Sequence, residues 1–347
     1  MRIALLAPVA LPVPPTGYGG TELVVSMLAE GLVARGHDVT LFASGDSHTS
    51  ARLESLYPQS LEAVGVRDKR TYQAYEAAHV RDALSRASRF DVVHDHTKAL
   101  GTIYARFADT PVVTTIHNDF TEERRQVYGA HPDHAYVAIS RAQAARMPEL
   151  NYSGVVYNGL DLGPVIYQSA KEDYLLFLGR LDADKGAHTA IAIARALNWP
   201  LILAGRVQDT AFFEREIAPH LDGVRRRYVG EVAGEAKWRL YAGARALLFP
   251  IQWPEPFGLV MIEALACGTP VVATRHGSVP EVIEDGVSGR IVDSERDLDA
   301  LVAATREAVT LDPRDCRAQV ETRFSQDAMV EGYLDVYRQL VSTAIRR

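Results

Sequence analysis

The chain has 347 residues, 47% hydrophobic and 23% charged, which is enough apolar material for one or two complete cores and excludes global disorder. Its 37 basic and 44 acidic residues give a formal net charge of −7, divided as 15 against 18 up to position 165 and 22 against 26 beyond it, so neither half carries the basic footprint of a nucleic-acid binder. Cys267 and Cys316 are too few for a disulfide framework or a four-cysteine zinc site and fit a reducing, cytoplasmic compartment, and no apolar run reaches the roughly 18 residues of a membrane span.

Short β-branched runs alternate with helix-period segments along the whole chain. In the first half, strands are predicted at Ile3–Ala7, Val39–Ala43, Val92–His94, Val112–Ile116 and Tyr136–Ile139, with helices at Thr21–Ala34, Tyr75–Ala87 and Ile103–Ala108. The alternation then restarts. Strands at Tyr174–Gly179, Pro200–Ala204, Arg227–Val229, Ala246–Phe249 and Val271–Ala273 are separated by helices at Lys185–Leu197, Thr210–His220, Gly234–Ala242 and Gly258–Ala266. Continuous apolar strands between helices imply parallel sheets covered on both faces, and two such series imply an α/β protein of two Rossmann-like, doubly wound domains with a cleft between them. The boundary is predicted near Asn158–Lys171, where turn residues meet a short polar stretch. The last helix, Gln326–Ile345, carries one apolar stripe at Met329, Tyr333, Val336, Tyr337, Leu340 and Val341.

Four segments have the makings of a site. In the first, a strand ends at Phe249 and a helix begins near Gly258, so the free N–H groups of the helix start can bind an anion. Glu255 and Glu263 flank this turn with seven residues between them. Two carboxylates suit a ligand with hydroxyls on either side of its phosphates, as in a sugar nucleotide; the alternative is that Glu255 answers the helix dipole and Glu263 is a solvated face residue. In the second, Arg180 and Lys185 follow a strand. A guanidinium can grip two phosphate oxygens and an ammonium adds a mobile charge, so together they can neutralise a leaving diphosphate without a metal; alternatively they pair with Asp182 and Asp184. The third is the glycine turn around Gly17, Gly19 and Gly20, which either brings backbone N–H groups to a phosphate or only reverses the chain. It lacks both the dinucleotide fingerprint and a Walker lysine.

The fourth comprises His94, Asp95 and His96 after one strand and His117 after another. Strand alternation puts His94 and His96 on one side and Asp95 on the other, and no further ligand has recognisable spacing, so no metal site is predicted. His117 is the best placed to hydrogen-bond a substrate or shuttle a proton, with His94 as a structural residue. Ser140 reads as a helix cap and Cys267 as a small buried apolar residue.

In their order these motifs resemble the family 4 retaining glycosyltransferases of GT-B fold. The resemblance runs over nearly the whole chain. It comprises Gly19-Gly20-Thr21-Glu22, Arg35-Gly36-His37-Asp38-Val39, Thr115-Ile116-His117, Tyr157-Asn158-Gly159-Leu160-Asp161, Gly179-Arg180 through Lys185-Gly186, the Glu255–Glu263 pair, Gly268-Thr269-Pro270, and Pro280-Glu281 through Gly289. One departure is Ile251 after Pro250, where many members carry serine.

The resemblance implies an N-terminal acceptor-binding domain over 1–165, to which a helix over 326–347 returns, and a C-terminal donor-binding domain over 166–325. It implies a metal-independent enzyme without a cofactor that moves a hexose from a UDP- or GDP-hexose, or another nucleoside diphosphate sugar, to a hydroxyl acceptor. Transfer would proceed by front-face substitution with retention. Arg180 and Lys185 would hold the diphosphate and Glu255 the donor sugar. Backbone N–H groups at Phe257, Gly258 and Leu259 would contact sugar and phosphates, and Glu263 would accept the ribose hydroxyls. Gly19 and Gly20 would let the backbone approach the donor phosphate, Val232 would lie in the loop facing the base, and His117 would lie beside the transferring sugar. Acceptor contacts are expected from residues 44–75 and 119–135. Transient membrane contact is compatible with this picture, and the oligomeric state is not readable. Two alternatives on the same architecture are a nucleotide-sugar epimerase and a non-catalytic nucleotide-sugar-binding protein.

Overall fold

The computed structural model describes residues 1–345 and divides the chain into two compact units, Met1–Gly159 with the last helix, and Leu160–Ser325. Arg346 and Arg347, included in the predicted C-terminal helix, lie outside the described residues.

The first unit runs β1 (Arg2–Leu6), α1 (Gly20–Ala34), β2 (Asp38–Phe42), β3 (Arg52–Glu54), α2 (Lys69–Leu84), β4 (Val92–Asp95), α3 (Ala99–Ala105), β5 (Val112–Ile116), α4 (Glu122–Gly129), β6 (Ala135–Ala138), α5 (Arg141–Ala144) and β7 (Tyr152–Val155). Its seven strands are all parallel, in the order β3-β2-β1-β4-β5-β6-β7. Every residue of β4, β5 and β6 is buried, as expected of strands covered on both faces. On one face Ala4, Leu6, Phe42 and Val93 pack with Val80 and Ala83 of α2, and Phe42 meets Phe90 edge to face at 5.9 Å.

The second unit runs β8 (Leu175–Leu178), α6 (Ala187–Leu197), β9 (Leu201–Ala204), α7 (Thr210–Phe212), β10 (Arg226–Tyr228), α8 (Gly234–Gly243), β11 (Leu247–Phe249), α9 (Leu259–Ala266), β12 (Val271–Thr274), α10 (Val279–Val282), β13 (Gly289–Val292), α11 (Leu298–Ala308) and α12 (Pro313–Arg323). Its six parallel strands are ordered β10-β9-β8-β11-β12-β13. The core joins Leu175, Phe177, Leu201 and Leu203 to Ile191 and Leu197 of α6 and Leu301 of α11. Both units are therefore Rossmann-like, doubly wound α/β domains. In each, the winding reverses beside the first strand, between β1 and β4 and between β8 and β11, which is where open parallel sheets bind ligands at their carboxyl edge.

The chain ends in α13 (Gln326–Ile345), which belongs to the first unit. Its predicted stripe is buried from Met329 to Tyr337. It meets α1 where the latter has no side chain: a Cβ on Gly31 would lie 2.6 Å from Val330. Arg35 pairs with Asp327 at 2.7 Å and Glu331 at 2.9 Å, closing the same contact at the surface.

Several predicted boundaries move for local reasons. Helix α2 begins six residues before Tyr75 because the Asp68 carboxylate caps it, accepting from Thr71 N–H at 2.8 Å. Lys185 is not the first residue of α6; it ends a 3-10 turn, Ala183–Lys185, and left-handed Gly186 (φ 77°) separates it from the helix. The single helix expected over Thr210–His220 is three pieces, α7, a π turn (Phe213–Ile217) and a 3-10 turn (Ala218–His220), because Pro219 lacks an N–H and obstructs the preceding turn. The edge strands β3, β7 and β13, with their partly exposed polar positions, carry little apolar signal and were not predicted.

Candidate functional site

In the second unit the candidate residues gather at the carboxyl ends of β8 and β11. Arg180 follows β8 and pairs through Nη1 with Asp182 Oδ2 at 2.8 Å. The other oxygen of Asp182 accepts Lys185 N–H at 3.1 Å, so one carboxylate orders the whole turn. A Cβ on Gly186 would lie 2.1 Å from the Pro250 carbonyl oxygen, and the Gln252 N–H donates to the Asp184 carbonyl at 2.8 Å. The turn after β8 is thus sewn to the segment after β11. As a result Lys185 Nζ lies 2.5 Å from Glu255 Oε2, with both side chains largely buried. The ammonium also stands 5.0 Å from the Trp253 ring centroid and 5.8 Å from that of Phe249, an apolar and electron-rich wall for a cation. Arg180 therefore pairs as its alternative reading held, whereas Lys185 pairs with Glu255 rather than Asp184.

The backbone from Glu255 to Gly258 is held from behind. The Ser278 N–H donates to the Glu255 carbonyl at 2.9 Å and its hydroxyl to the Phe257 carbonyl at 2.8 Å. Gly277 (φ 54°) permits this approach, since a Cβ there would fall 2.2 Å from the Glu255 oxygen. Gly258 (φ 78°) is the N-cap of α9, whose leading N–H groups at Leu259 and Val260 have no partner inside the helix. Ile251, the departure from the family's serine, is fully buried.

Glu263 is not a solvated face residue. It is buried on α9, where Oε1 meets Lys237 Nζ at 2.7 Å and Oε2 accepts the Tyr241 hydroxyl at 2.8 Å. Lys237 and Tyr241, one helical turn apart on α8, escaped sequence reasoning because nothing in their local pattern names a partner on another helix. Half-buried Val232 lies in the loop after β10, which Gly205 N–H ties to the Gly230 carbonyl at 2.8 Å.

In the first unit the site residues stand at the carboxyl ends of β1, β4 and β5. Gly20 opens α1. Gly19 (φ 169°) is extended, and its lack of a side chain serves packing, since a Cβ would lie 2.7 Å from Pro15. Glu22 is buried in the first turn of α1, and burial pushes its carboxyl up against the opposing effect of Lys98. His94 is wholly buried, with Nδ1 2.6 Å from the Tyr337 hydroxyl and Nε2 2.6 Å from Thr115 Oγ1. This is the structural role expected of it, and its ring helps seat α13. His117 is half-buried after β5, and its Nε2 meets His96 Nδ1 at 2.8 Å. Burial, with a smaller effect of Lys98, holds the His117 pKa down to about 3, so the imidazole is neutral. Asp95 accepts from Thr97 N–H, the Thr97 hydroxyl and the Thr114 hydroxyl, yet complete burial raises its carboxyl to about 7. Among the described residues no three His, Cys, Asp or Glu side chains form a group able to hold a metal ion. Cys267 and Cys316 are free, buried thiols that burial pushes up to about 12. Among the described residues no helix is long and apolar enough to cross a membrane.

The model of Glycosyltransferase Family 4 matches residues 18–163 and that of Glycosyl transferases group 1 matches residues 166–324. The chain is 28% identical to the glycogen synthase of Mycobacterium tuberculosis, over 85% of this chain and 84% of that one. Among solved structures it is similar to AviGT4, a glycosyltransferase involved in avilamycin A biosynthesis, with 26% identity and a TM-score of 0.75 over 99% of this chain and 98% of that one. It also shares the fold of Anabaena Alr3699/HepE, solved in complex with UDP-glucose, with 19% identity and a TM-score of 0.72 over the full length of both chains. Family models spanning both units, on a pair of parallel-sheet Rossmann-like domains, place the chain among the family 4 glycosyltransferases of GT-B fold.

Proposed function

We propose that this glycosyltransferase moves a hexose from a nucleoside diphosphate sugar to a hydroxyl acceptor, with retention of anomeric configuration and without a divalent ion. The observation that carries the reading is the meeting of Lys185 with Glu255 at the carboxyl edge of β8 and β11, beside the open N-terminus of α9. Cations and helix N–H groups suit a diphosphate, and a carboxylate beside them suits sugar hydroxyls. Arg180 and Lys185 stabilise the charge that develops as the diphosphate leaves. Glu255 accepts hydrogen bonds from the donor sugar, Phe257, Gly258 and Leu259 contact it through backbone N–H groups, and Glu263 accepts the ribose hydroxyls. Val232 faces the base, and Gly19 and Gly20 allow the backbone near a phosphate. His117, neutral at physiological pH, serves the transferring sugar as a hydrogen-bonding group. In this reading residues 1–165 bind the acceptor and residues 166–325 the donor.

Front-face substitution through an oxocarbenium-like state needs no enzyme nucleophile; a donor phosphate oxygen takes the acceptor proton. Catalysis then rests on orientation and on leaving-group charge. The neighbour solved with UDP-glucose supports a uridine donor first and a guanosine donor second. Two free thiols support a reducing, cytoplasmic setting.

The test is a thermal-shift screen of UDP-, GDP- and ADP-hexoses followed by transfer assays with and without chelator. A donor at 100 times its Kd stabilises by about 2.7 kcal/mol. Glycosylated acceptor, unchanged by chelator, is expected. Free nucleotide and altered sugar from donor alone would indicate an epimerase, and tight binding with no turnover a sensor. Loss of all activity on chelation would reject the metal-free route.

A further inference from the structure

The three histidine rings at the carboxyl ends of β4 and β5 lie in a row. His94 and His96 lie 4.0 Å apart between centroids with their planes tilted by 42°, and His96 and His117 lie 5.1 Å apart, joined edge to edge with their planes 28° from parallel. The members differ in how their nitrogens are used. Both nitrogens of His94 are occupied, by Tyr337 and Thr115, so this ring is fixed and backs the next one. His96 is wholly buried; its Nδ1 meets His117 Nε2 at 2.8 Å, and its Nε2 has no partner. His117 Nδ1 has no hydrogen-bond partner among the described residues.

One proton must lie between His96 Nδ1 and His117 Nε2, because two facing lone pairs repel and two facing N–H groups clash. If His117 supplied it, the neutral His96 would carry its one N–H hydrogen on Nε2, leaving a buried N–H with no acceptor. Orphaned buried donors are rarer than under-used acceptors. If His96 supplies it, the buried Nε2 is only a bare lone pair, and the hydrogen of neutral His117 is on Nδ1. Complete burial and the neighbouring imidazoles disfavour a cationic His96, so the pair shares this proton without charge.

We propose that His96 is a positioning residue: its Nδ1–H donates to His117 Nε2 and fixes His117 in the tautomer whose Nδ1–H is free to donate to an oxygen of a bound sugar. This rests on the reading above that His117 serves the sugar. It adds the direction of that hydrogen bond and the residue that sets it. A specific consequence is that His117 acts as a donor, so it favours a sugar that presents an acceptor oxygen to it.

The tautomer is read directly from long-range 1H–15N correlations of the histidine-labelled full-length protein, with H117Q used for assignment. His117 is expected as Nδ1–H with Nε2 as acceptor. H96F keeps a ring beside His94 but removes the donor, so His117 should change to the other tautomer or a mixture. Transfer from UDP-glucose or GDP-mannose, whichever is turned over, should then lose about 10–100-fold in kcat/KM, the size of loss seen when a partner orienting a metal-bound histidine is removed. H96N places an amide N–H near the position of Nδ1 and should restore both the tautomer and part of the activity, which a merely space-filling role would not. Finding Nε2–H on His117 in the unaltered protein overturns the proposal, as does an identical His117 tautomer in H96F and H96N. If the tautomer is locked but H117Q keeps full turnover and neither nucleotide sugar shifts the His117 signals, the role of His117 at the sugar fails while the lock stands.

Discussion

Lys185 Nζ and Glu255 Oε2 are 2.5 Å apart, although 69 residues separate them, with Lys185 ending a single 3-10 turn and Glu255 in a loop. The contact is enforced by backbone: Gly186 presses against Pro250, and Gln252 bonds to Asp184. Each residue thus supplies the counter-charge the other requires when partly removed from water. A bound diphosphate would offer Lys185 a second anion, leaving the carboxylate oxygens of Glu255 for hydroxyl donors.

Removing either cation from the turn after β8 should cost transfer. Arg180→Ala and Lys185→Ala are each expected to lower kcat by about 10²–10³, the loss typical for one charge-stabilising donor. Steady-state assays of product formation check this, and wild-type turnover in both variants would dismiss the turn as a leaving-group clamp. Glu255→Gln should impair transfer strongly; the amide keeps the shape and one acceptor, but the Lys185 ammonium loses its counter-charge, so a loss of stability is expected beside the loss of activity.

Glu263 is held by Lys237 and Tyr241, so its neighbours matter to stability as well as to the ligand. Lys237→Met should destabilise the protein by about 1.5–3 kcal/mol, the range for a hydrogen bond to a charged group. It should also weaken UDP and UDP-glucose by a similar factor, since a ribose contact is common to both. Denaturant melts and calorimetric titrations measure the two effects. Weakening confined to the sugar-bearing ligand would move Glu263 away from the ribose.

Gly277 touches no ligand in this reading, yet it decides where Glu255 sits. A methyl group there would overlap the Glu255 backbone on a left-handed residue. Gly277→Ala is therefore expected to cost about 1–3 kcal/mol of stability. It should also lower kcat/KM by more than a substitution at exposed Gly65, another left-handed glycine with open space around it. Equal activity in the two variants would show that the backbone at Glu255 tolerates displacement.

Acid should weaken the first unit. Burial lowers His79 and His134 from 6.5 to about 4. Between those values the unfolded chain binds more protons, so their contribution is complete above about pH 6.5 and is lost as pH falls towards 4. For His79 alone the loss is about 2 kcal/mol by pH 5. Asp95 acts in the opposite sense: its carboxyl is raised from 3.8 to about 7, so its folded form binds the extra proton and its contribution is lost as pH rises through 7. Tm should fall from pH 7 to pH 5, and Asp95→Asn, which removes the opposing contribution, should steepen that fall. A flat profile, or a shallower one in the variant, would contradict this assignment.

The site was only partly legible in the chain. Glu255, Glu263, Arg180 and Lys185 stand out because charged residues at strand ends are conspicuous against apolar runs. Lys237, Tyr241 and Ser278 do not, since an α8 lysine or a loop serine looks the same whether it faces water or a carboxylate. His96 was visible as a residue but not as the partner of His117, because that pairing depends on β4 lying beside β5.

The alternation of buried strands with amphipathic helices by itself determined two Rossmann-like α/β domains, because hydrophobic periodicity is a local property that every few residues report. Motif order likewise determined the glycosyltransferase family. Only the tertiary structure decided that Lys185 pairs with Glu255 rather than Asp184, that Glu263 is buried between two residues of α8, and that His96 Nδ1 meets His117 Nε2. Each of these contacts joins segments far apart in sequence, and electrostatic and hydrogen-bond partners are chosen by distance in space, on which local patterning has no bearing.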